Sequence, residues 1–161
     1  MDYFEINGLK TLNGVIEVSG AKNAVLPLMA ASILNQDKLK ISNVPTLSDS
    51  ITMSKLLKKM GADVNFESDN SISVDSSKLD NPFAPYDLVK TMRASFYVLG
   101  PLLARFGNAK VSLPGGCAWG PRPVDFHLDG LKALGVKISI ENGYVIADGS
   151  NLIGNKIHFP K

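Results

Sequence analysis

The most reactive chemistry in the sequence lies in one stretch, LPGGCAWGPRPVD (113–125), which holds the only cysteine of the chain. Gly115 and Gly116 give the backbone before Cys117 unusual freedom, whereas the two prolines around Arg122 restrict it. A nearby arginine favours the thiolate form of a cysteine. We therefore consider Cys117 a candidate reactive thiol, against the alternative of a small buried hydrophobe, which is the commoner fate of a lone cysteine.

A second candidate is the pair Lys22 and Asn23, which follows SGA at a predicted strand-to-helix corner. An ammonium group beside a helix start can hold a phosphate or carboxylate. The alternative is a solvated lysine next to an asparagine cap. GAKN is not a P-loop, because it lacks the spaced glycines and the Lys-Ser/Thr pair.

Arg93 precedes a very apolar segment, so its guanidinium needs a partner, either a carboxylate of the core or a bound oxyanion. The sequence indicates no catalytic pair between Cys117 and either histidine, His127 or His158. We expect His127 to cap or pack at the start of a helix. The spacing of histidine and cysteine offers no metal site, and we predict no cofactor.

These candidates need elements to position them, and the hydrophobic pattern predicts an α/β fold. Alternating residues predict strands at GVIEVSG (14–20), KLKISNV (38–44), ADVNFES (62–68), SISVD (71–75), AKVSLPG (109–115), VKISIE (136–141) and GYVIAD (143–148). Three helices are predicted: Pro27–Leu34, opened by its proline; Asp49–Met60, with Ile51 on its apolar face; and Leu88–Arg105, kinked or broken at Gly100 and Pro101.

An internal repeat of roughly seventy residues organises these elements. KKMGADVNFESDNSISVD (58–75) runs parallel to KALGVKISIENGYVIAD (132–148), and each copy closes a helix with glycine before two strands that end in aspartate. The predicted unit is helix, strand, helix, strand, strand, and two copies fit in the chain.

The register of the repeat aligns Ile41 with Val111 and therefore Asn23 with Arg93. Both copies thus place polar groups at the start of their first helix, where free N–H groups favour anions. The second copy also carries five extra residues in the loop that contains Cys117. A Gly- and Pro-rich insertion in a repeated scaffold indicates a functional loop.

Composition and charge exclude several classes. The net charge of +2 and the lack of basic runs argue against a nucleic-acid partner. The longest apolar stretch, Ala24 to Leu34, is interrupted and far shorter than the ~20 residues of a membrane span. One cysteine forms no internal disulfide, and the acidic amino terminus does not fit a signal peptide. We therefore expect a cytoplasmic protein without a membrane partner.

Three motifs, SGAKNAVLPLMAASIL, APYDLVKTMRAS and LPGGCAWGPRPVDFHLDGL, closely resemble the UDP-N-acetylglucosamine 1-carboxyvinyltransferase family of enolpyruvyl transferases. The resemblance covers the whole chain and corresponds to the amino-terminal portion of that enzyme. Two positions depart from the family pattern: Trp119 stands where an aliphatic residue is more usual, and Tyr97 where some members have tryptophan.

The resemblance implies a fold of two inside-out α/β barrels built from strand-helix repeats, with the active site between them. This chain would supply about two repeats of one incomplete barrel. Residues 1–20 would belong to the second barrel and lack sheet partners here. Residues 21–161 would form the partial catalytic barrel, with repeats at roughly 21–80 and 81–150.

The resemblance also implies roles for the candidate residues. Cys117 would be catalytic, as a general acid or an aid to phosphate departure or product release, on a mobile loop; it would also be alkylated by the antibiotic fosfomycin. Phosphoenolpyruvate would be bound by Lys22, Asn23 and Arg122. UDP-N-acetylglucosamine would be bound by Asn23, Arg93, Arg122, Pro123, Val124, Asp125, Phe126 and Lys161.

The implied function is transfer of an enolpyruvyl group from phosphoenolpyruvate to the 3-hydroxyl of UDP-N-acetylglucosamine, the first committed step of peptidoglycan synthesis. We expect this chain to need the remaining carboxy-terminal part as a partner and to be inactive without it. The alternative is a non-catalytic nucleotide-sugar-binding remnant. The related shikimate-pathway transferase lacks the cysteine loop, and RNA terminal-phosphate cyclases would need a nucleotide-transfer histidine motif that is absent here.

Overall fold

The computed structural model describes residues 3–8, 11, 13–115 and 124–158. Its α-helices are α1 (Lys22–Ala31), α2 (Ser48–Lys59), α3 (Tyr86–Val89), α4 (Leu99–Phe106) and α5 (Asp125–Ala133), with 3₁₀ helices at Ser32–Leu34 and Arg93–Val98. Its strands are β1 (Lys38–Ile41), β2 (Asp63–Phe66), β3 (Ile72–Asp75), β4 (Phe83–Ala84), β5 (Asn108–Ser112), β6 (Lys137–Glu141) and β7 (Tyr144–Asp148).

The described strands form two sheets with matching topology. The first has the order β1-β3-β2, and the second has the order β4-β5-β7-β6. All neighbours are antiparallel except the short β4, which runs parallel to β5. Ile41 pairs with Ile72 and Val111 pairs with Val145, as the repeat register predicts. The order helix, strand, helix, strand, strand thus occurs twice.

One hydrophobic core joins the two copies, because buried residues from Val25 to Ala147 form a single cluster. Arg105 at the end of α4 adds a polar link: its Nη1 donates to the carbonyl oxygen of Ile33, 2.8 Å away. That hydrogen bond satisfies a carbonyl of the 3₁₀ helix that follows α1. The two copies therefore pack as one unit.

The first predicted helix was placed wrongly at its start. It begins at Lys22, five residues before Pro27, and Pro27 lies inside it. A proline there removes one hydrogen bond, the one that residue 27 would donate to the carbonyl of Asn23. Burial of the flanking Val25, Leu26, Met29 and Ala30 offsets that loss.

The long apolar helix is interrupted, but at residues 90–92, and the break predicted at Gly100 and Pro101 is not found because both residues lie in the first turn of α4, where a proline costs no helical hydrogen bond. It divides into α3, the 3₁₀ helix Arg93–Val98 and α4, and the change from 3₁₀ to α geometry falls at Leu99, beside Gly100 and Pro101. The helix predicted over 49–60 is confirmed within one residue, although Ile51 is 39% exposed and outside the core.

The strand predicted at 14–20 is wrong, whereas the other six are confirmed. Val15, Ile16 and Val18 have exposed fractions of 96%, 87% and 84%. A strand needs a neighbour for its backbone N–H and C=O groups, and none of the described strands pairs with this segment. Alternation of side chains was therefore not sufficient for a strand.

Within the described ranges, every helix is too short or too polar to cross a lipid bilayer. The cytoplasmic location expected from the sequence stays a prediction, as does the division into residues 1–20 and 21–161.

Candidate functional site

Three helices begin at the edge of one cavity. The cavity has a volume of 400 Å³ and lies where α1, α2 and the 3₁₀ helix Arg93–Val98 start. It is lined by Lys22, Asn23, Leu26, Asp49, Thr91, Met92, Arg93, Ala94 and Tyr97. The structure therefore brings together three of the predicted site residues, Lys22, Asn23 and Arg93, from the two copies of the repeat.

The chain reaches this cavity through a fixed corner. Ala21 is the residue before α1, and its carbonyl oxygen accepts hydrogen bonds from the N–H groups of Ala24 and Val25 at 3.0 and 3.1 Å. One residue earlier, the N–H of Gly20 donates to Oδ1 of Asn43 at 3.0 Å. These bonds fix where the first turn of α1 begins and thus where Lys22 and Asn23 lie.

The charges at the cavity favour an anion. Nζ of Lys22 lies 3.0 Å from Oδ2 of Asp49, and the two side chains are 46% and 28% exposed. With Arg93, the charged side chains that line the cavity comprise two cations and one anion. The N-terminus of α1 adds partial positive charge and N–H donors. This arrangement can bind a phosphate or carboxylate, with Asp49 holding the ammonium group of Lys22 in place.

Tyr97 connects the cavity to α5. It lies one turn after Arg93, it is 43% exposed, and its ring centroid is 6.3 Å from that of His127. The His127 ring also meets the buried ring of Phe96 edge-on at 5.9 Å. His127 therefore packs against aromatic neighbours, as one of its two expected roles required.

The structure does not place the α5 residues on the cavity wall. Val124 is buried at the position before α5, Asp125 lies in the first turn, and Phe126 is 57% exposed. Phe126 lines a different pocket, together with Lys156, Ile157 and His158. The remaining predicted site residues, Cys117, Arg122, Pro123 and Lys161, lie outside the described residues.

Sequence reasoning missed Asp49, Thr91 and Tyr97 as lining residues. Asp49 carried a signal, because it is an acidic residue at the start of a predicted helix, and helix starts were already proposed as the anion site. Thr91 and Tyr97 lie on either side of Arg93 in the sequence. Their places at the cavity depend on the break between α3 and the 3₁₀ helix, which the sequence pattern did not predict.

Three described aspartates near strand ends have a pKa below the ordinary value. The Lys40 ammonium and the Ser71 hydroxyl both donate to Asp69, and they lower the pKa of that carboxyl to about 2. Ser77 and Ser150 lower the pKa of Asp75 and Asp148, respectively, by hydrogen bonding to the carboxylates. Among the described side chains, no group of three or more His, Cys, Asp or Glu residues is placed to hold a metal ion.

Comparison with known proteins gives a consistent result. The sequence model of the family described as EPSP synthase (3-phosphoshikimate 1-carboxyvinyltransferase) matches residues 6–160. The chain is 52% identical over 157 residues to a UDP-N-acetylglucosamine 1-carboxyvinyltransferase of Dichelobacter nodosus, and 52% identical over 161 residues to that of Campylobacter jejuni (strain RM1221). These matches cover 98% and 100% of the chain but 38% of each relative.

Solved structures support the same fold. The enolpyruvyl transferase NikO from Streptomyces tendae matches with a TM-score of 0.74 and 26% identity, over 88% of this chain and 31% of that protein. EPSP synthase from Acinetobacter baumannii matches with a TM-score of 0.64 and 15% identity, over 88% and 33%. The paired helices and sheets described above are thus part of the enolpyruvyl transferase fold, and the chain spans about 38% of the length of the curated relatives it matches.

Proposed function

This chain belongs to the EPSP synthase (3-phosphoshikimate 1-carboxyvinyltransferase) family, and from that premise we propose that it takes part in enolpyruvyl transfer to UDP-N-acetylglucosamine. The acceptor is inferred from relatives of about 50% identity that carry this name. Because the chain spans 38% of their length, we propose that turnover requires the remaining part of such an enzyme and that these 161 residues do not turn over without it.

One observation carries the proposal: two cations and three helix starts converge on the 400 Å³ cavity. Phosphoenolpyruvate is a small anion with a phosphate and a carboxylate, which suits the Lys22 ammonium and the N–H groups at the start of α1. Arg93 offers planar donors for the diphosphate or sugar oxygens of the acceptor. Asn23 lines the same cavity and has both amide donors and an acceptor.

The chemistry requires a proton donor and stabilisation of a departing phosphate. Protonation of the methylene carbon of phosphoenolpyruvate makes the adjacent carbon electrophilic, and the sugar 3-hydroxyl attacks that carbon while its proton passes to a base in the remaining part of the enzyme. Loss of a proton from the new methyl group and departure of phosphate then restore the double bond. We assign proton delivery or assistance to phosphate departure to Cys117, and neutralisation of the phosphate to Lys22 and Arg122.

The remaining proposed contacts concern the nucleotide sugar, with Pro123, Val124, Asp125, Phe126 and Lys161 added to Asn23, Arg93 and Arg122. The exposed position of Asp125 and Phe126 at the start of α5 is compatible with a ligand that extends beyond the cavity. The resemblance to UDP-N-acetylglucosamine 1-carboxyvinyltransferases is the basis for proposing a role in peptidoglycan synthesis and alkylation of Cys117 by an epoxide.

The test uses a chimera in which this chain replaces the corresponding 38% of the Campylobacter jejuni relative. We expect the chimera to release phosphate from phosphoenolpyruvate with UDP-N-acetylglucosamine but not with 3-phosphoshikimate. The variant Lys22→Gln should lose most of this activity, whereas Lys55→Gln, on the exposed face of α2, should retain it.

Phosphate release with 3-phosphoshikimate instead, or with neither acceptor, would contradict the proposal. Binding of UDP-N-acetylglucosamine by calorimetry without turnover in the chimera would favour the non-catalytic remnant. Turnover by the 161-residue chain without the rest would contradict the proposed need for a carboxy-terminal partner.

A further inference from the structure

The corner between Gly20 and Asn43 is built with little freedom. The Gly20 N–H donates to Oδ1 of Asn43 at 3.0 Å. A Cβ added at Gly20 would overlap the carbonyl oxygen of Asn43, so the two backbones approach closer than any side chain at residue 20 allows. The segment before α1 is therefore held against the loop that follows β1.

The Asn43 side of this corner is itself held in place. Asn43 has a φ of +52°, a left-handed conformation that asparagine tolerates better than most residues. The next residue, Val44, is buried, and its N–H donates to the carbonyl oxygen of Asn70 at 2.6 Å. The backbone next to Asn43 is thus anchored to the turn between β2 and β3, although Asn43 itself is exposed.

The second copy of the repeat has a contact at the corresponding place. The register that aligns Ile41 with Val111 aligns Gly20 with Lys90 and the loop after β1 with the loop after β5. There, a Cβ added at Gly115 would lie 3.0 Å from the carbonyl oxygen of Lys90. In both copies a glycine therefore allows the backbone before a cavity-lining helix to approach a loop closely. The loop follows β1 in the first copy and β5 in the second.

We infer that Asn43 is a positioning residue for Lys22 and Asn23. It lies outside the cavity lining, and it acts through Gly20, two residues before Lys22, by fixing the start of α1. Lys22 is then held at both ends, through its backbone by this corner and through its ammonium group by Asp49. The effect of Asn43 on phosphoenolpyruvate binding rests on the proposed function, whereas its effect on the position of the α1 start does not.

The structural test measures amide hydrogen exchange by NMR on the 161-residue chain. Asn43→Gly keeps the left-handed backbone favourable and removes the side chain that carries the acceptor oxygen. We expect exchange of the Ala24 and Val25 amides to accelerate about fivefold, the effect of one typical hydrogen bond, while Val74 and Val111 in the sheets are unchanged. Asn142→Gly is the matched control, because Asn142 has a φ of +51° in the turn between β6 and β7.

Unchanged exchange at Ala24 and Val25 in Asn43→Gly would overturn the inference. Equal acceleration at Val74 and Val111 would also overturn it, since the residue would then serve general stability.

The functional test uses the chimera described above. We expect Asn43→Gly to raise the KM for phosphoenolpyruvate about fivefold with kcat within about twofold, and Asn43→Asp, which retains an acceptor oxygen, to restore KM. An unchanged KM, or a KM that Asn43→Asp does not restore, would count against the positioning role. A wild-type chimera without turnover would contradict the proposed function, while hydrogen exchange would still decide the role of Asn43.

Discussion

The two copies of the repeat share a topology but differ in how deeply they bury their second helix. Aligning Gly61 with Gly135 places Leu57 of α2 at the position of Leu131 of α5. Leu57 is fully buried, as are Met53, Leu56 and Met60, whereas Leu131 is only partly buried. α2 packs against α1 and β2, whereas α5 contacts β6 and, through His127, the rings of Phe96 and Tyr97. The sequence pattern thus predicts the helices and strands of each repeat. The elements packed against α2 and α5 determine how much of each helix is buried.

A second difference concerns the polar groups. The first copy contributes Lys22 and Asn23 at the start of its first helix, and the second contributes Arg93 at the equivalent place. The segment between β5 and α5, residues 113–124, is longer than the segment between β1 and α2, residues 42–47, and it contains Cys117. The two copies therefore line one cavity but place different charged groups at it.

The largest expected effect tests the difference in burial. Leu57→Ala should lower the free energy of unfolding by about 2–5 kcal/mol, because it leaves a cavity in the core. Leu131→Ala should cost only about 1 kcal/mol, because part of that side chain already contacts water. Urea unfolding followed by circular dichroism measures both. Equal losses would show that α5 is as well packed as α2.

The next effect tests what the copies share. Gly61 and Gly135 have φ of +104° and +91°, and a Cβ there would lie 3.0 Å from the Lys78 carbonyl oxygen and 2.8 Å from that of Asn151. Alanine at either position should therefore cost about 1–3 kcal/mol. Gly100→Ala, in α4 with open space around it, is the control and should cost nothing. Thermal unfolding measures the loss of stability in each variant. A difference of more than about 2 kcal/mol between Gly61→Ala and Gly135→Ala would show that the two glycines are not equivalent.

A third effect separates the two polar helix starts. Lys22→Gln should weaken phosphoenolpyruvate binding about tenfold, or about 1.4 kcal/mol, and leave UDP-N-acetylglucosamine binding nearly unchanged. Arg93→Gln should do the reverse. Calorimetry on the chimera measures both ligands, with Lys55→Gln as the control. If both variants weaken the same ligand equally, the proposed division between the copies is wrong.

The smallest effect concerns the aspartates that end each copy. The pKa of Asp75 and of Asp148 is lowered in the fold, so each stabilises the protein above the ordinary pKa of 3.8 and loses that contribution as pH falls below it. Asp75→Asn and Asp148→Asn should each flatten the acid loss of stability by a similar amount. Asp69 belongs to the first copy, and its contribution should disappear between about pH 4 and 2.

Lys40→Met checks the Asp69 contribution, because it removes one of the donors that lower the Asp69 pKa. Urea midpoints from pH 2 to 6 should show a smaller acid loss of stability in this variant, complete at a higher pH, because the Asp69 pKa moves back toward 3.8. A pH profile identical to that of the wild type would show that Lys40 does not stabilise the Asp69 carboxylate.

Much of the fold was predictable because its determinants are local. Gly61 and Gly135 end helices in conformations that other residues rarely adopt, and alternation marked six strands correctly. The same alternation failed at Val15, Ile16 and Val18, because a strand also needs a partner. The start of α1 was missed because the fold tolerates Pro27 inside a helix whose neighbouring residues are buried.

The sequence by itself determined the repeated unit, its register and the polar identity of the helix starts, since periodicity and glycine positions act over a few residues. Only the tertiary structure decided that Lys22, Asn23 and Arg93 line one cavity, that Asp49 pairs with Lys22, and that Asn43 holds Gly20. These contacts join residues 20 or more positions apart in the chain, or from different copies of the repeat. Their distances depend on how the helices and sheets pack around the shared core, which no local pattern records.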